Sequence, residues 1–326
     1  MRPAISLIVG VRDGAGVLPR ALESLRAQTL QDWECVVVDD GDDDRILQVV
    51  RLFGDARVRL VRQASAGLTA ALIRGLEEAR APIIARLDAD DEAVPERLQR
   101  QLEFLGARPE VVAVGTGVEV VSESGLVLSR HSYAPGHDGL VRQLHALLTP
   151  LPHSTLMVRR DALEAVGGYR RRFLKAQDYD LLLRLSEFGR LSSLPEALVR
   201  LHASRGSISM NSEGGEQFEY GVLAYTSAVV RSCSGPDPLE GPKADAFAKS
   251  FRSWYRSSRY PSLFLSRRQR RTARIAWGEN RPALAAAALA RATLADPSWA
   301  LSRVGLGGDI AADARNWAEN WASGAR

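Results

Sequence analysis

Short runs of aliphatic and β-branched residues, separated by stretches with helical spacing, restrict the first half of this chain to one class of fold. Ile5 to Val11 is an apolar run of strand length. It is followed by a loop containing Gly14 and Gly16, and then by Leu18, Ala21, Leu22 and Leu25 at the spacing of one helix face. Glu34 to Val38 and Val58 to Val61 read as the next strands, Leu68 to Ala79 as a helix, and Ile83 to Leu87 as a fourth strand. Strands alternating with helices predict an α/β fold with a largely parallel sheet, because parallel neighbours need a long crossover and a helix supplies it.

Two of these strands run directly into acid. Glu34 to Val38 ends in Asp39-Asp40-Gly41, and Ile83 to Leu87 ends in Asp88-Ala89-Asp90-Asp91. Ligands of open α/β sheets bind in the crevice at the carboxyl ends of the strands, so the two clusters are expected to face one pocket. Like charges this close repel, and a folded chain keeps them beside a cation, hydrogen-bond donors or water. A hard divalent ion bridging a diphosphate would meet that need. Two solvated acidic turns would meet it as well.

Further along, Pro95 is placed for the first turn of a helix reaching about Ala107, and Val111 to Val114 reads as a strand. Periodicity weakens from Ser122 to Pro152, where Gly136, His137, Asp138 and Gly139 read as a mobile loop. Thr155 to Val158 reads as a short strand, Gly167 and Gly168 end a brief helix, and Asp178 to Phe188 forms a stronger one. Asp178 and Asp180 crowd its first turn, where the helix dipole favours carboxylates, so capping alone would account for both. After His202 the residues through Gln217 read as a linker. Beyond it the chain is helical in character, with helices expected over Arg270 to Asn280 and Pro282 to Ala295. The domains expected are therefore residues 1–210 and a C-terminal helical region, 211–326.

Composition narrows the partners. A formal charge of +4 on 326 residues is too small a surplus for a nucleic-acid-binding surface. Its uneven part, Arg170 to Arg172 and Arg267, Arg268, Arg270 and Arg271, fits either solvated helix faces or a patch for anionic headgroups or an anionic acceptor. Cys35 and Cys233 have no metal-type spacing and make no disulfide framework. With neither a secretory signal nor an apolar run long enough to span a bilayer, a cytoplasmic protein, at most peripheral to the membrane, is expected.

Several motifs in order resemble family 2 glycosyltransferases of the GT-A fold. The opening Ile5-Ser-Leu-Ile-Val-Gly-Val-Arg-Asp13, Leu18-Pro-Arg-Ala-Leu-Glu-Ser-Leu-Arg-Ala-Gln-Thr29 and Trp33-Glu-Cys-Val-Val-Val-Asp-Asp-Gly41 are similar to that family's start. So are Ile84-Ala-Arg-Leu-Asp-Ala-Asp-Asp91 with Pro95-Glu-Arg-Leu98, Gly167-Gly-Tyr169, Gln177-Asp-Tyr-Asp-Leu181 with Arg184, and Leu201-His202 with Ser207 and Ser209. The resemblance covers roughly residues 4–210.

It implies a Rossmann-like, mainly parallel sheet and an inverting transfer of sugar from a nucleotide-sugar donor, UDP-type, to a glycan, lipid-linked or protein acceptor. Asp40 would accept from the base, with Val9 and Val11 lining that end of the pocket. Asp88 would lie near the ribose and diphosphate, Asp90 would bind Mn2+ or Mg2+, and Asp178 would be the general base. Asp91, His153 and His202 are secondary candidates. A metal stabilises the charge that develops on a leaving diphosphate, and a base across the sugar takes the acceptor proton, so no covalent nucleophile is required. The chain departs from the pattern at Arg12-Asp13 (commonly Tyr-Asn), Asp42 (Ser), Ile73 (Asn) and Gln177 (an acidic residue). These changes bear on donor identity and on the charge around the base, and leave Asp90 and Asp178 in place.

Two other readings use the same fold. A sugar-1-phosphate nucleotidyltransferase would need a glycine-rich phosphate loop, which Gly10, Arg12, Gly14 and Gly16 imitate only loosely, and it leaves Asp178 without a role. A nucleotide-sugar-binding protein without turnover would have no use for a base and a metal ligand together.

Overall fold

The computed structural model describes residues 2–122, 125–202, 214–258, 260, 286–287, 290 and 306–324. The chain divides into two compact units, Met1–Ser207 and Ile208–Arg326.

The first unit is built on a nine-stranded sheet. Its strands are β1 (Ile5–Val11), β2 (Trp33–Asp39), β3 (Val58–Arg62), β4 (Ile83–Arg86), β5 (Glu92–Ala93), β6 (Val111–Val121), β7 (Val127–His131), β8 (Met157–Arg159) and β9 (Arg190–His202). They lie in the order β3-β2-β1-β4-β8-β6-β9-β5, with β7 beside β6. The helices are α1 (Leu18–Arg26), α2 (Arg45–Phe53), α3 (Leu68–Glu78), α4 (Arg97–Gly106), α5 (His137–His145), α6 (Arg160–Ala165) and α7 (Gln177–Phe188).

The alternation of side chains across each strand explains the layering. Ile5, Leu7, Val9 and Val11 of β1 join Leu18, Leu22 and Leu25 of α1 in one apolar cluster, together with Cys35 and Val37 of β2. Val36 and Val38, pointing the other way, meet Ala71 of α3. A Cβ on Gly75 would stand 2.4 Å from the Ile8 side chain, so only glycine lets α3 lie this close to β1.

Strand polarity places the functional edge. β1 is parallel to β2 and β4, while β8 runs antiparallel to both β4 and β6, and β6 runs parallel to β9. The carboxyl ends of β1, β2, β4, β6 and β9 and the amino end of β8 therefore share one edge of the sheet.

Several expectations need correction. Thr155 belongs to a single 3-10 turn, His153–Thr155, and the strand begins at Met157. The helix after Pro95 starts at Arg97. The strand at Val111 runs on to Val121 through Gly115 and Gly117; a Cβ on Gly117 would lie 2.8 Å from the Pro195 carbonyl oxygen, so crowding by β9 requires the residue that hides the strand pattern. The predicted mobile loop around Gly136 to Gly139 is the start of α5. Tertiary contacts hold that helix: Leu140 and Leu144 are buried, and the Leu191 amide donates to His137 Nδ1 at 3.1 Å. Strand β9, thirteen residues long, had no clear sequence pattern.

In the second unit, α8 spans Gly214–Ser234, α9 Ala244–Ser257 and, numbered among the described helices, α10 Leu306–Ala322. The linker expected through Gln217 thus gives way to helix by Gly214. The helices expected over Arg270–Asn280 and Pro282–Ala295, and the arginines at 267–271, lie outside the described residues apart from 286, 287 and 290, which are helical. Phe247 and Phe251 are buried beside Trp317, and buried Tyr255 stacks on Phe251. Among the described residues no helix is long and apolar enough to cross a membrane. Cys35 is buried, Cys233 is exposed, and both are free.

Candidate active site

The first acidic cluster sits where β2 ends beside β1. Asp40 is 2% exposed, its amide donates to the Val11 carbonyl at 2.9 Å, and both carboxylate oxygens accept from protein donors. Oδ1 takes Gln63 Nε2 and the Ala66 amide, each at 2.7 Å, and Oδ2 takes the Gly67 amide at 2.9 Å. Asp39 accepts from the Gly41 amide at 3.0 Å, and its other oxygen, 3.5 Å from Arg62 Nε, has no hydrogen bond among the described residues. Burial pushes the Asp39 carboxyl above its usual range, against the pull of the Gly41 amide and Arg62. Val9 and Val11 are packed into the core, so at this end they offer the strand rather than open side chains.

The second cluster follows β4 and is organised by residues that the sequence reading did not single out. The Ser154 hydroxyl accepts from the Asp88 amide at 3.0 Å and lies 2.8 Å from Asp88 Oδ2 and within hydrogen-bond reach of Asp91 Oδ2. One hydroxyl proton cannot serve two carboxylates. Burial, then the charge of Asp88, pushes Asp91 up to about 8, so at neutral pH Asp91 carries a proton and donates it to Ser154, which donates in turn to Asp88. Asp88 also receives Arg86 Nη2. Despite its burial, Asp88 is held below the usual carboxylate range by the Arg86 charge and the Ser154 bond. Asp90 is raised by burial and then by Asp88.

Two buried arginines stand behind this acid. Arg86, 3% exposed, donates Nη1 to the Ile8 carbonyl at 3.0 Å. Arg97, fully buried, donates Nη2 to the Arg86 carbonyl at 2.7 Å and Nε to Gln101 at 3.0 Å, and Gln101 reaches the carbonyls of Val114 and Thr155. The sequence signal for Arg86 was a cation inside a strand otherwise made for burial, which demands a partner. No local pattern marks Ser154.

Across the same edge, Ala176 adopts a left-handed backbone (φ 52°) and turns the chain into α7, so that Asp178 falls in its first turn. Asp178 and Asp180 have different surroundings. Asp180 is 1% exposed and is gripped by Arg170 and Arg184, which also shows that Arg170 serves the interior and not a solvated face. Among the described residues Asp178 has no arginine partner; burial, opposed by the Tyr179 amide, and then the charge of Asp88 raise it. Asp178 and Asp88 thus share one electrostatic environment. The charges of both Asp178 and Asp88 act on Tyr169, whose phenol oxygen lies 2.6 Å from His153 Nε2. Burial keeps the proton on Tyr169, and burial with the Arg86 charge keeps His153 neutral, so the phenol donates to the imidazole. His202, at the end of β9, donates its amide to Asp91 Oδ1 at 3.2 Å and pairs through Nε2 with Glu92 at 2.6 Å, leaving a buried Nδ1 without a partner among the described residues.

No three His, Cys, Asp or Glu side chains among the described residues converge as a ready-made metal cage. Magnesium-type sites in phosphate chemistry commonly use one or two carboxylates and take the remaining ligands from water and the substrate's phosphates. Asp88 and Asp90, mutually repelling and half-buried, fit that kind of donor set.

The family model for "Glycosyl transferase family 2" matches residues 6–167. EpsE of Bacillus subtilis (strain 168) is 32% identical over 206 residues, covering 61% of this chain and 73% of the relative. The amylovoran biosynthesis glycosyltransferase AmsE of Erwinia amylovora is 32% identical over 202 residues, covering 61% and 74%. The chain belongs to glycosyl transferase family 2. Its fold is similar to that of the solved S. aureus TarS 1–349 in complex with UDP-GlcNAc, at a TM-score of 0.59, 15% identity and 91% coverage of both chains. The glycosyltransferase therefore has the GT-A architecture that its motifs implied, a mixed and mainly parallel sheet with flanking helices, followed by C-terminal helices.

Proposed function

We propose that this glycosyltransferase moves a sugar from a UDP-type donor to a hydroxyl of a glycan, glycolipid or protein acceptor, with inversion, in polysaccharide or cell-envelope assembly. The observation that carries the reading is that the charge of Asp88, beyond the carboxyl end of β4, helps to raise both the Asp90 carboxyl beside it and the Asp178 carboxyl in the first turn of α7. Support for the donor comes from TarS, whose structures hold UDP and UDP-GlcNAc, and support for the setting from the amylovoran role in the name of AmsE.

In the proposed step the acceptor oxygen attacks the anomeric carbon as the bond to the diphosphate oxygen breaks. Asp178 takes the hydroxyl proton, and the bonding electrons leave with the nucleoside diphosphate. A single displacement inverts the anomeric centre. The raised pKa of Asp178 brings a carboxylate nearer to the working pH, which suits a general base. Asp90 and Asp88 would hold a divalent ion, Mn2+ or Mg2+, which when bound would stabilise charge on the leaving diphosphate. Asp40 and Asp39 would border the base, and Ser154 and Arg86 fix the Asp88 carboxylate.

The test is the thermal unfolding of the full chain with UDP, GDP, TDP and CMP sugars, with and without manganese or magnesium. A ligand that binds only the folded state stabilises it, by about 2.7 kcal/mol at a hundred times its Kd. The expected result is a metal-dependent rise with a UDP-sugar that disappears in Asp90→Ala. No rise with any donor overturns the proposal, and a rise without turnover on any hydroxyl acceptor points to a binding protein without catalysis.

A further inference from the structure

The helical unit contains a cavity of about 520 Å³ lined by Trp254, Ser258, Tyr260, Asp313, Asn316, Trp317 and Asn320. That volume falls within the range of small-molecule sites, roughly 300–1,000 Å³. Asp313, Asn316, Trp317 and Asn320 follow one another at i, i+3, i+4 and i+7 along α10, so they occupy a single helix face. Trp254 of α9 stacks on Trp317 with ring centroids 5.5 Å apart and planes at 27°, and Trp321 continues the ladder at 5.9 Å and 24°. All three indoles are only partly buried, unlike Phe247 and Phe251 behind them.

An aromatic wall alone would be consistent with an unfinished core. The polar rim points elsewhere. Asn316 and Asn320 are exposed, and their carboxamides make no hydrogen bond among the described residues, while Asp313 accepts the Tyr260 hydroxyl. Two carboxamides and a carboxylate, one helical turn apart beside half-open indole faces, offer donors and acceptors to vicinal hydroxyls and an apolar surface to ring C–H groups. No lining residue is cationic and one is anionic, which disfavours phosphate, sulfate or uronate.

We propose that this cavity binds a neutral oligosaccharide, as a site separate from the nucleotide-sugar pocket. The test is titration of the full chain with maltohexaose, cellohexaose, laminarihexaose and chitohexaose, followed by tryptophan fluorescence and saturation-transfer NMR, with polygalacturonate as the anionic control and phosphatidylcholine–phosphatidylglycerol vesicles as the membrane control. The expected result is saturable binding of at least one neutral oligosaccharide, weakened at least tenfold in Asn316→Ala/Asn320→Ala with an unchanged melting temperature. Trp254→Leu, which keeps apolar bulk, should weaken it likewise. The proposal is overturned if none of the neutral sugars binds, if the double variant binds as well as the parent, or if polygalacturonate or the vesicles bind instead. None of these readouts requires a nucleotide sugar, so failure here leaves the transfer reaction untouched and the reverse also holds.

Discussion

Asp40 commits both carboxylate oxygens to Gln63, Ala66 and Gly67, whereas Asp90, on the same edge of the same sheet, faces the like charge of Asp88 with Asp91 next to it. Both lie in aspartate-rich turns after a buried strand. In the first, the protein supplies the compensating donors and the acid ties β2 to the entry of α3. In the second, Arg86, the Ser154 hydroxyl and the His202 amide serve Asp88 and Asp91, Asp91 keeps its proton, and Asp90 is raised by burial and by the charge of Asp88. An acidic strand end is thus a brace or a group of mutually repelling carboxyls depending on donors that come from elsewhere in the chain.

The comparison makes graded predictions. The strongest effect belongs to the functional side: Asp178→Asn should lower kcat by about 10²–10⁴, the usual worth of a general base, while the donor-induced melting shift persists. Normal turnover in that variant removes Asp178 from the mechanism. In the parent enzyme the acid limb of the kcat profile should lie above the ordinary aspartate range, because burial and Asp88 raise this carboxyl.

Next comes the pH dependence of stability in metal-free protein. Asp91 is raised to about 8, so between the unfolded value near 4 and this one the folded state holds a proton that the unfolded chain has lost. Stability should therefore fall as pH rises through that window. Asp91→Asn, which mimics the protonated form toward Ser154, should flatten the slope; an unchanged slope would place the surplus charge elsewhere. On the braced side, Asp40→Ala leaves two amides and a carboxamide without their acceptor and should cost about 1–3 kcal/mol in urea denaturation. Loss of donor binding without that cost would mean that Asp40 reads the ligand and does not brace the fold. The smallest effect is expected at Asp42, exposed and outside both networks, where Asp42→Ala should leave the denaturation midpoint and donor binding as they are.

The legible part of the fold is the part with local periodicity. Strands β1 to β4 could be read directly, though not helix α2 between β2 and β3, and so could the two acidic ends, because strand, turn and charge are neighbours in sequence. Strands β6 and β9 were harder, since their long pairing shifts register on both sides of Gly117, opposite Pro195 and Glu196, and Gly115, Gly117 and Pro195 interrupt any apolar pattern. Helix α5 shows only Leu140 and Leu144 as buried anchors and relies on His137 and Tyr179 to hold it. In the site, the carboxylates were legible and the groups governing their protonation were not. Ser154 lies 66 residues from Asp88, and the tether from Arg86 to Ile8 spans 78.

The polarity of the sheet also bears on how such an enzyme diversifies. Residues 132–152 leave from the β6–β7 hairpin and return to the 3-10 turn that carries His153 and Ser154, so both of their anchors are already secured by paired strands. A gene can exchange that insert, α5 included, without unpairing a single rung of the ladder. What the insert must preserve is its grip on α7, where the Tyr179 hydroxyl donates to the Leu144 carbonyl one residue from Asp178, and on β9, where the Leu191 amide donates to His137 Nδ1 and the Ser192 hydroxyl to the Pro135 carbonyl. Exchange of that insert is therefore expected to change what borders the edge of the sheet while the strands leading to Asp40 and Asp88 stay paired.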